Sequence, residues 1–145
     1  MGRLIGIARR EKKRAPMETL ESAEISTQTG VAGDSRGKAG DRQVTLLSAR
    51  DWQAACAELG QDVAWTTRRS NLFIDDMDLP KAAGHLIAIG SVLLRTTLEI
   101  APCSRMDEQV DGLTSALKPD WRGGVGCEVV EGGVVSIDDL VELVK

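Results

Sequence analysis

A thiol at the junction between a strand and a helix is the first feature of the sequence that could do chemistry. It lies in Glu99-Ile100-Ala101-Pro102-Cys103-Ser104-Arg105-Met106-Asp107. Ser91–Ile100 is rich in Val, Leu and Thr and predicts a strand, which Pro102 ends because it has no amide to donate to a ladder. Ser104 followed three residues later by Asp107 forms a small capping box and predicts a helix starting just after the cysteine. A thiol there faces the positive end of the helix dipole, and Arg105 adds a second positive charge. Both favour thiolate, the nucleophilic and metal-binding form. The plainer alternative is a small apolar plug behind a proline.

The other two cysteines read differently. Trp52, Ala55, Cys56 and Leu59 recur at the spacing of one buried helical face, so Cys56 is assigned to packing. Cys127 opens a strand and is also read as a packed thiol. Three cysteines without paired spacing argue against a disulfide framework and for a reducing, cytoplasmic setting. His85 is the only histidine and has no cysteine–carboxylate pattern around it, which gives a zinc site little support.

Charge narrows the possible ligands. The net charge is −4, yet Arg3, Arg9, Arg10, Lys12, Lys13 and Arg14 stand against Glu11 alone in the first fourteen residues. A basic edge on an acidic body suits a small phosphate-bearing ligand, the alternative being a solvated basic turn. Nucleic acid is not expected, since there is no Tyr, Phe73 is the only Phe, and no motif interleaves the three Trp with basic residues. The glycine-rich stretch Gln28–Asp41 is not a P-loop: three residues rather than four separate Gly33 from Gly37-Lys38, and Ala39 follows the lysine. No apolar run reaches membrane-spanning length, so no membrane association is expected. A chain of 145 residues is long enough for one substantial core, which predicts a single domain over residues 1–145.

The elements that must position the thiol are mostly short strands. They are predicted at Arg3–Arg9, Ala23–Ser26, Arg42–Leu47, Asn71–Asp75, Leu86–Ile89, Val92–Leu98, Cys127–Val130, Val134–Ile137 and Leu140–Val144. Gly90-Ser91 predicts a two-residue hairpin, and Glu131-Gly132-Gly133 predicts a second. One helix is well marked: Ser48 and Asp51 form a capping box, Leu47 and Trp52 a staple, and Gly60 the stop. Arg68, Arg69 and Asn71 supply donors at the entrance of the strand that follows. The pattern lacks strand–helix–strand alternation, which excludes a doubly wound nucleotide fold and predicts a β-barrel or strongly curved sheet with a few helices.

Taken in order, Lys12–Pro16, Gly33-Asp34, Arg42-Gln43-Val44, Asn71-Leu72, Gly84, Ile89-Gly90, Pro102-Cys103, Gly123-Gly124 and Gly132-Gly133 resemble the MOSC domain, named for the C-terminal domain of molybdenum cofactor sulfurase. The resemblance implies a mainly β fold with a few helices: a closed, mostly antiparallel barrel of complex topology, pyruvate-kinase barrel-like. It also implies that the functional thiol is Cys103, as persulfide carrier or molybdenum ligand, and that molybdopterin is the cofactor, near Arg42, Gln43, Arg69 and Asn71. Lys13, Arg14 and Arg105 join these as candidates by charge. The implied function is sulfur carriage or molybdenum cofactor binding for sulfur transfer or metal–sulfur centre assembly, with a cysteine desulfurase or a metal–sulfur protein as partner. One alternative is a molybdenum-dependent reductase of N-hydroxylated compounds; another is a non-catalytic interaction barrel with an inert cysteine. Two positions depart from the family pattern: His85 stands where Asp often follows Gly84, and Asp138-Asp139 replaces a closing Gly-Asp. Pyridoxal phosphate chemistry is not expected of these residues, because the desulfurase domain that holds it is not among them.

Overall fold

In a computed structural model of the chain, residues 2–12, 15–35, 37–102 and 105–144 are described. The chain opens with the strands β1 (Gly2–Arg9), β2 (Glu18–Thr19), β3 (Ser22–Ser26), β4 (Gly30–Val31) and β5 (Val44–Ser48); buried and exposed side chains alternate in β3 and the first half of β1, while every residue of β5 is buried. Helix α1 (Ala49–Leu59) leads to a 3-10 turn at Trp65–Arg68 and then to β6 (Leu72–Asp75), β7 (Leu86–Ile89) and β8 (Val92–Glu99). Two short helices, α2 (Arg105–Gln109) and α3 (Leu113–Leu117), precede β9 (Val125–Glu131), β10 (Gly133–Ser136) and β11 (Leu140–Val144).

Seven of these strands close a mixed barrel in the order β11-β7-β8-β9-β5-β6-β1, and β1 pairs back onto β11 through Gly2↔Val141 and Arg3↔Leu140. All barrel pairings are antiparallel except β5 with β6, which α1 joins as a parallel crossover. One strand–helix–strand unit is therefore present where the sequence pattern predicts none. The expected barrel stands, because the remaining connections return antiparallel.

The Gly90-Ser91 turn joins β7 to β8 as expected, with Gly90 at φ 56°. Glu131-Gly132-Gly133 does not form the second expected hairpin. After β9, β10 leaves the barrel and pairs with β3, giving a small sheet β10-β3-β4. A Cβ on Gly132 would stand 2.7 Å from the Ile25 carbonyl, so this glycine permits a close backbone approach between sheets.

Two cores share the barrel wall. Leu4, Ile7, Leu46, Leu72, Ile74, Ile87 and Leu94 fill the interior, and Ile25, Val31 and Val135 of the small sheet join that cluster. On the outer face, Leu47 and Phe73 meet Trp52, Ala55 and Cys56 of α1 together with Met106, Leu113 and Leu117. Gly60 ends α1 in the left-handed conformation, as predicted. Ser48 is the N-cap residue, but its hydroxyl donates to the Met77 carbonyl (3.5 Å) and accepts no hydrogen bond from the first helical amides, so the predicted capping box does not form. Trp65 stacks on Phe73 with ring centroids 4.9 Å apart, and its indole lies against Gly6. A Cβ on Gly6 would come within 2.6 Å of that ring, so Gly6→Ala should destabilise the fold by about 1–3 kcal/mol, read as a lower urea midpoint with unchanged m-value.

Candidate functional site

The strand β8 carries the chain to Ile100 and Pro102, and α2 resumes it at Arg105. Cys103 and Ser104 lie outside the described residues, as do Lys13 and Arg14, so those candidate positions and the Ser104–Asp107 capping box have no described geometry. Asp107 accepts a hydrogen bond from the Thr114 amide (2.8 Å), which ties α2 to the first turn of α3.

Arg68 organises the flanks of this segment. It is 8% exposed. Its Nε donates to the Gly123 carbonyl (2.9 Å), its Nη2 to the Ile100 carbonyl (2.6 Å), and its Nη1 approaches the Met106 thioether (3.9 Å). Gly123 is bare because a Cβ there would stand 2.5 Å from the Ile100 carbonyl and 3.3 Å from Pro102 Cδ. The turn before it holds Asp120 and Trp121 at φ 51° and 57°, an unusual conformation for two successive non-glycine residues. Arg122 anchors that turn, donating to Glu58 on α1 (2.5 Å) and to the Ala116 carbonyl (3.1 Å).

Beside the end of β8 lies an open cleft of about 560 Å³, bordered by Ser35, Lys38, Asp41, Arg42 and Leu98. Its rim is the glycine-rich loop, held to β8 by a Thr97 hydroxyl that donates to the Asp41 carbonyl. Gln43 secures the loop from beneath. It is 2% exposed, donates to the Thr27 and Gly37 carbonyls (2.8 and 3.3 Å), and accepts from the Val129 amide (2.9 Å). Asn71 braces the adjoining strands in the same manner. Its side-chain carbonyl accepts from the Thr45 amide (3.0 Å) and hydroxyl (3.2 Å), and its amide donates to the Ala8 carbonyl (3.2 Å).

Of the sequence candidates, Arg42 is exposed on the cleft, Gln43 lies buried under it, and Asn71 lies buried at the β1–β5–β6 junction. Arg69 is half-buried at φ 66°, directly after the 3-10 turn, and Arg105 is half-buried at the start of α2. Sequence reasoning passes over Lys38 as a loop residue and Arg10 as one of a basic run. Arg10 is in fact 2% exposed, its amide donating to Asp34 and its carbonyl accepting from the Ser35 amide. Burial of this kind is set by loops that arrive from elsewhere in the chain, and no local pattern signals it. Among the described residues, no cluster of three or more His, Cys, Asp or Glu could hold a metal.

The arrangement leaves a barrel end with cationic side chains on a cleft and a buried arginine that reaches Ile100, Met106 and Gly123. The MOSC domain model matches residues 27–142. The chain belongs to the MOSC family. The family is associated with molybdenum cofactor binding or sulfur-related function. The MOSC fold is also evident in solved structures similar to this chain. The YuaD protein from Bacillus subtilis superposes with a TM-score of 0.84 at 19% identity, covering 99% of this chain and 96% of that one. YiiM from Geobacillus stearothermophilus gives 0.79 at 14% identity, covering 100% and 76%, and YiiM from Escherichia coli 0.72 at 17%, covering 99% and 70%. At these identities the likeness speaks to the fold alone. No curated protein matches the chain. Among the described residues, no helix is long and apolar enough to cross a membrane.

Of the two described thiols, Cys127 is a poor nucleophile and Cys56 packs into the helical layer. Cys127 is fully buried in the barrel interior, and burial pushes its thiol up to about 12. Cys56 is 8% exposed, with its sulfur 4.0 Å from the Val63 carbonyl. Cys127 should therefore resist iodoacetamide at pH 7.5 in the folded protein and react only in denaturant, as peptide mass mapping would show. Asn71→Ala should cost about 2 kcal/mol with no ligand present, because it strands the Thr45 amide and the Ala8 carbonyl; thermal or urea unfolding measures this.

Proposed function

We propose that this MOSC domain carries sulfur, or binds the molybdenum cofactor, through Cys103. The observation that carries the reading is the family match over 27–142, which includes Pro102-Cys103 and both glycine segments at the barrel end. Elimination adds support, since Cys127 is buried with a raised pKa and Cys56 packs into the helical layer.

In the sulfur-carrying step, the Cys103 thiolate attacks the outer sulfur of a persulfide on a cysteine desulfurase. The new S–S bond forms on Cys103 and the desulfurase cysteine leaves as thiolate, so one sulfur atom moves and no external oxidant or reductant is needed. The cleft residues also suit a phosphate-bearing cofactor such as molybdopterin. Lys38 and Arg42 offer cationic donors on a cleft of about 560 Å³ beside β8, and Arg42 can meet a phosphate with two parallel N–H groups. When bound, the cofactor would supply a metal for which a Cys103 thiolate is a soft ligand. Arg69 and Arg105 are further cationic candidates, while Gln43 and Asn71 would act through the loop and strands they brace.

The test is incubation with a cysteine desulfurase and cysteine, followed by intact-mass and peptide mass spectrometry. Cys103 should gain about 32 Da, one sulfur atom, and the gain should vanish in Cys103→Ser. Sulfur found on Cys56 or Cys127, or none on any cysteine, would reject the carrier reading.

A further inference from the structure

We propose that the outer face of the wall formed by β1, β11, β7 and β8 joins two copies of this chain in a two-fold symmetric dimer. The proposal is independent of Cys103 and of the reading given under Proposed function.

Helices cover one side of the barrel and leave the other bare. Their layer takes in Leu47 of β5 and Phe73 of β6, and among the described residues it includes none from β7, β8 or β11. The last strand nevertheless turns apolar side chains outward. Val141 is buried in the barrel, whereas Leu140 and Val144, of the opposite parity, are 49% and 42% exposed. Strand pairing carries this stripe sideways: Val144 stands opposite Leu86 and Glu142 opposite Ala88, and Ala88 in turn stands opposite Leu93. Leu86, Ala88 and Leu93 are half-buried. Of the five large apolar side chains exposed among the described residues, four belong to β1 and β11, the other two of these being Ile5 and Leu143. Singly scattered apolar residues are ordinary on a surface, but a cluster on one uncovered wall marks a contact face.

Charge selects a second copy as the occupant. Arg3 lies opposite Leu140 across the seam, and Glu142 follows Leu140 at the next outward position of β11. Both charged residues are exposed, and neither joins an ion pair among the described residues. The Arg3 guanidinium only donates to the Asp138 carbonyl (2.9 Å). Arg95, the cation of β8 on this wall, is already engaged by Glu128 (2.8 Å). One exposed leucine is thus flanked by an unpaired cation and an unpaired carboxylate. A two-fold axis at Leu140 sets the two leucines against each other and brings each Arg3 to the partner's Glu142. An isologous interface requires this property, that a single patch be complementary to itself. A partner of one sign would leave either Arg3 or Glu142 without its opposite.

The experiment is sedimentation velocity of the full chain from about 1 to 500 µM, where a monomer–dimer equilibrium should appear as a concentration-dependent coefficient. Leu140→Glu should raise the dissociation constant about a hundredfold. Arg3→Glu and Glu142→Arg should each raise it about tenfold by setting like charges together, and the double variant, which reverses both signs, should return to within about threefold of the unsubstituted protein. Circular dichroism melting checks each fold. Should Leu140→Glu unfold, the charge variants at their exposed positions decide. A chain that stays monomeric throughout the range would give this wall to a different partner and overturn the proposal. A dimer indifferent to these substitutions, or single reversals that the double variant does not rescue, would overturn it as well.

Discussion

The structure depends on a short stretch of sheet whose two faces are both buried. In β5, Leu46 enters the barrel and Leu47 enters the helical layer; in β6, Leu72 and Ile74 point inward while Phe73 points out. Each of these side chains is worth on the order of 2 kcal/mol when removed from water, so neither face can be left bare. The outer face therefore requires α1, α2 and α3, and their placement brings the 3-10 turn at Trp65–Arg68 against the end of β8. The location of the candidate site follows from this double burial. A barrel wet on its outer face would leave Arg68 without the packed layer that includes its neighbour Met106.

The polar groups at this end are arranged for rigidity. Gln43 makes three hydrogen bonds that join the glycine loop to β9, and Asn71 makes three that join β1 and β5. A buried amide satisfied in this way is expensive to remove, since each lost partner strands a group in low dielectric. Gln43 and Asn71, which the family resemblance places near a cofactor, hold backbone in place from buried positions, whereas Arg42 and Lys38 are exposed on the cleft. The same division appears between Arg68, which is buried and engaged with carbonyls, and Arg69, half-buried beside it.

Much of this fold is legible from local pattern, and the failures share one cause. The β7–β8 hairpin, the Gly60 stop and the Cys56 helical face all rest on contacts between residues close in sequence, so turn chemistry and the helical period suffice to find them. Glu131-Gly132-Gly133 reads equally well as a turn, yet Gly132 serves a backbone that approaches from Ile25, more than a hundred residues earlier. Ser48 has the right type and place for a capping hydroxyl, but the Met77 carbonyl takes it. The parallel β5–β6 pair is hidden for the same reason, since one helix among many strands gives no sign that its flanking strands pair with each other. Arg10 and Arg68 look like surface charges because the carbonyls and loops that enclose them come from residues 24 to 55 positions away. Cys103 stands out at the level of motif, since its proline and flanking charges are neighbours in the chain.

Closure of the barrel has a consequence for how the polypeptide reaches its native state. The seam that completes the ring joins Gly2 and Arg3 to Val141 and Leu140. That pairing spans almost the whole chain, and its loop-closure entropy must be met before the seam contributes any hydrogen bonds. Topologies dominated by such distant pairings fold on roughly the millisecond-to-second scale. The Gly2–Arg3 end of the first strand has no partner on that edge until β11 is made, and the charge of Arg3 keeps that edge soluble in the interval.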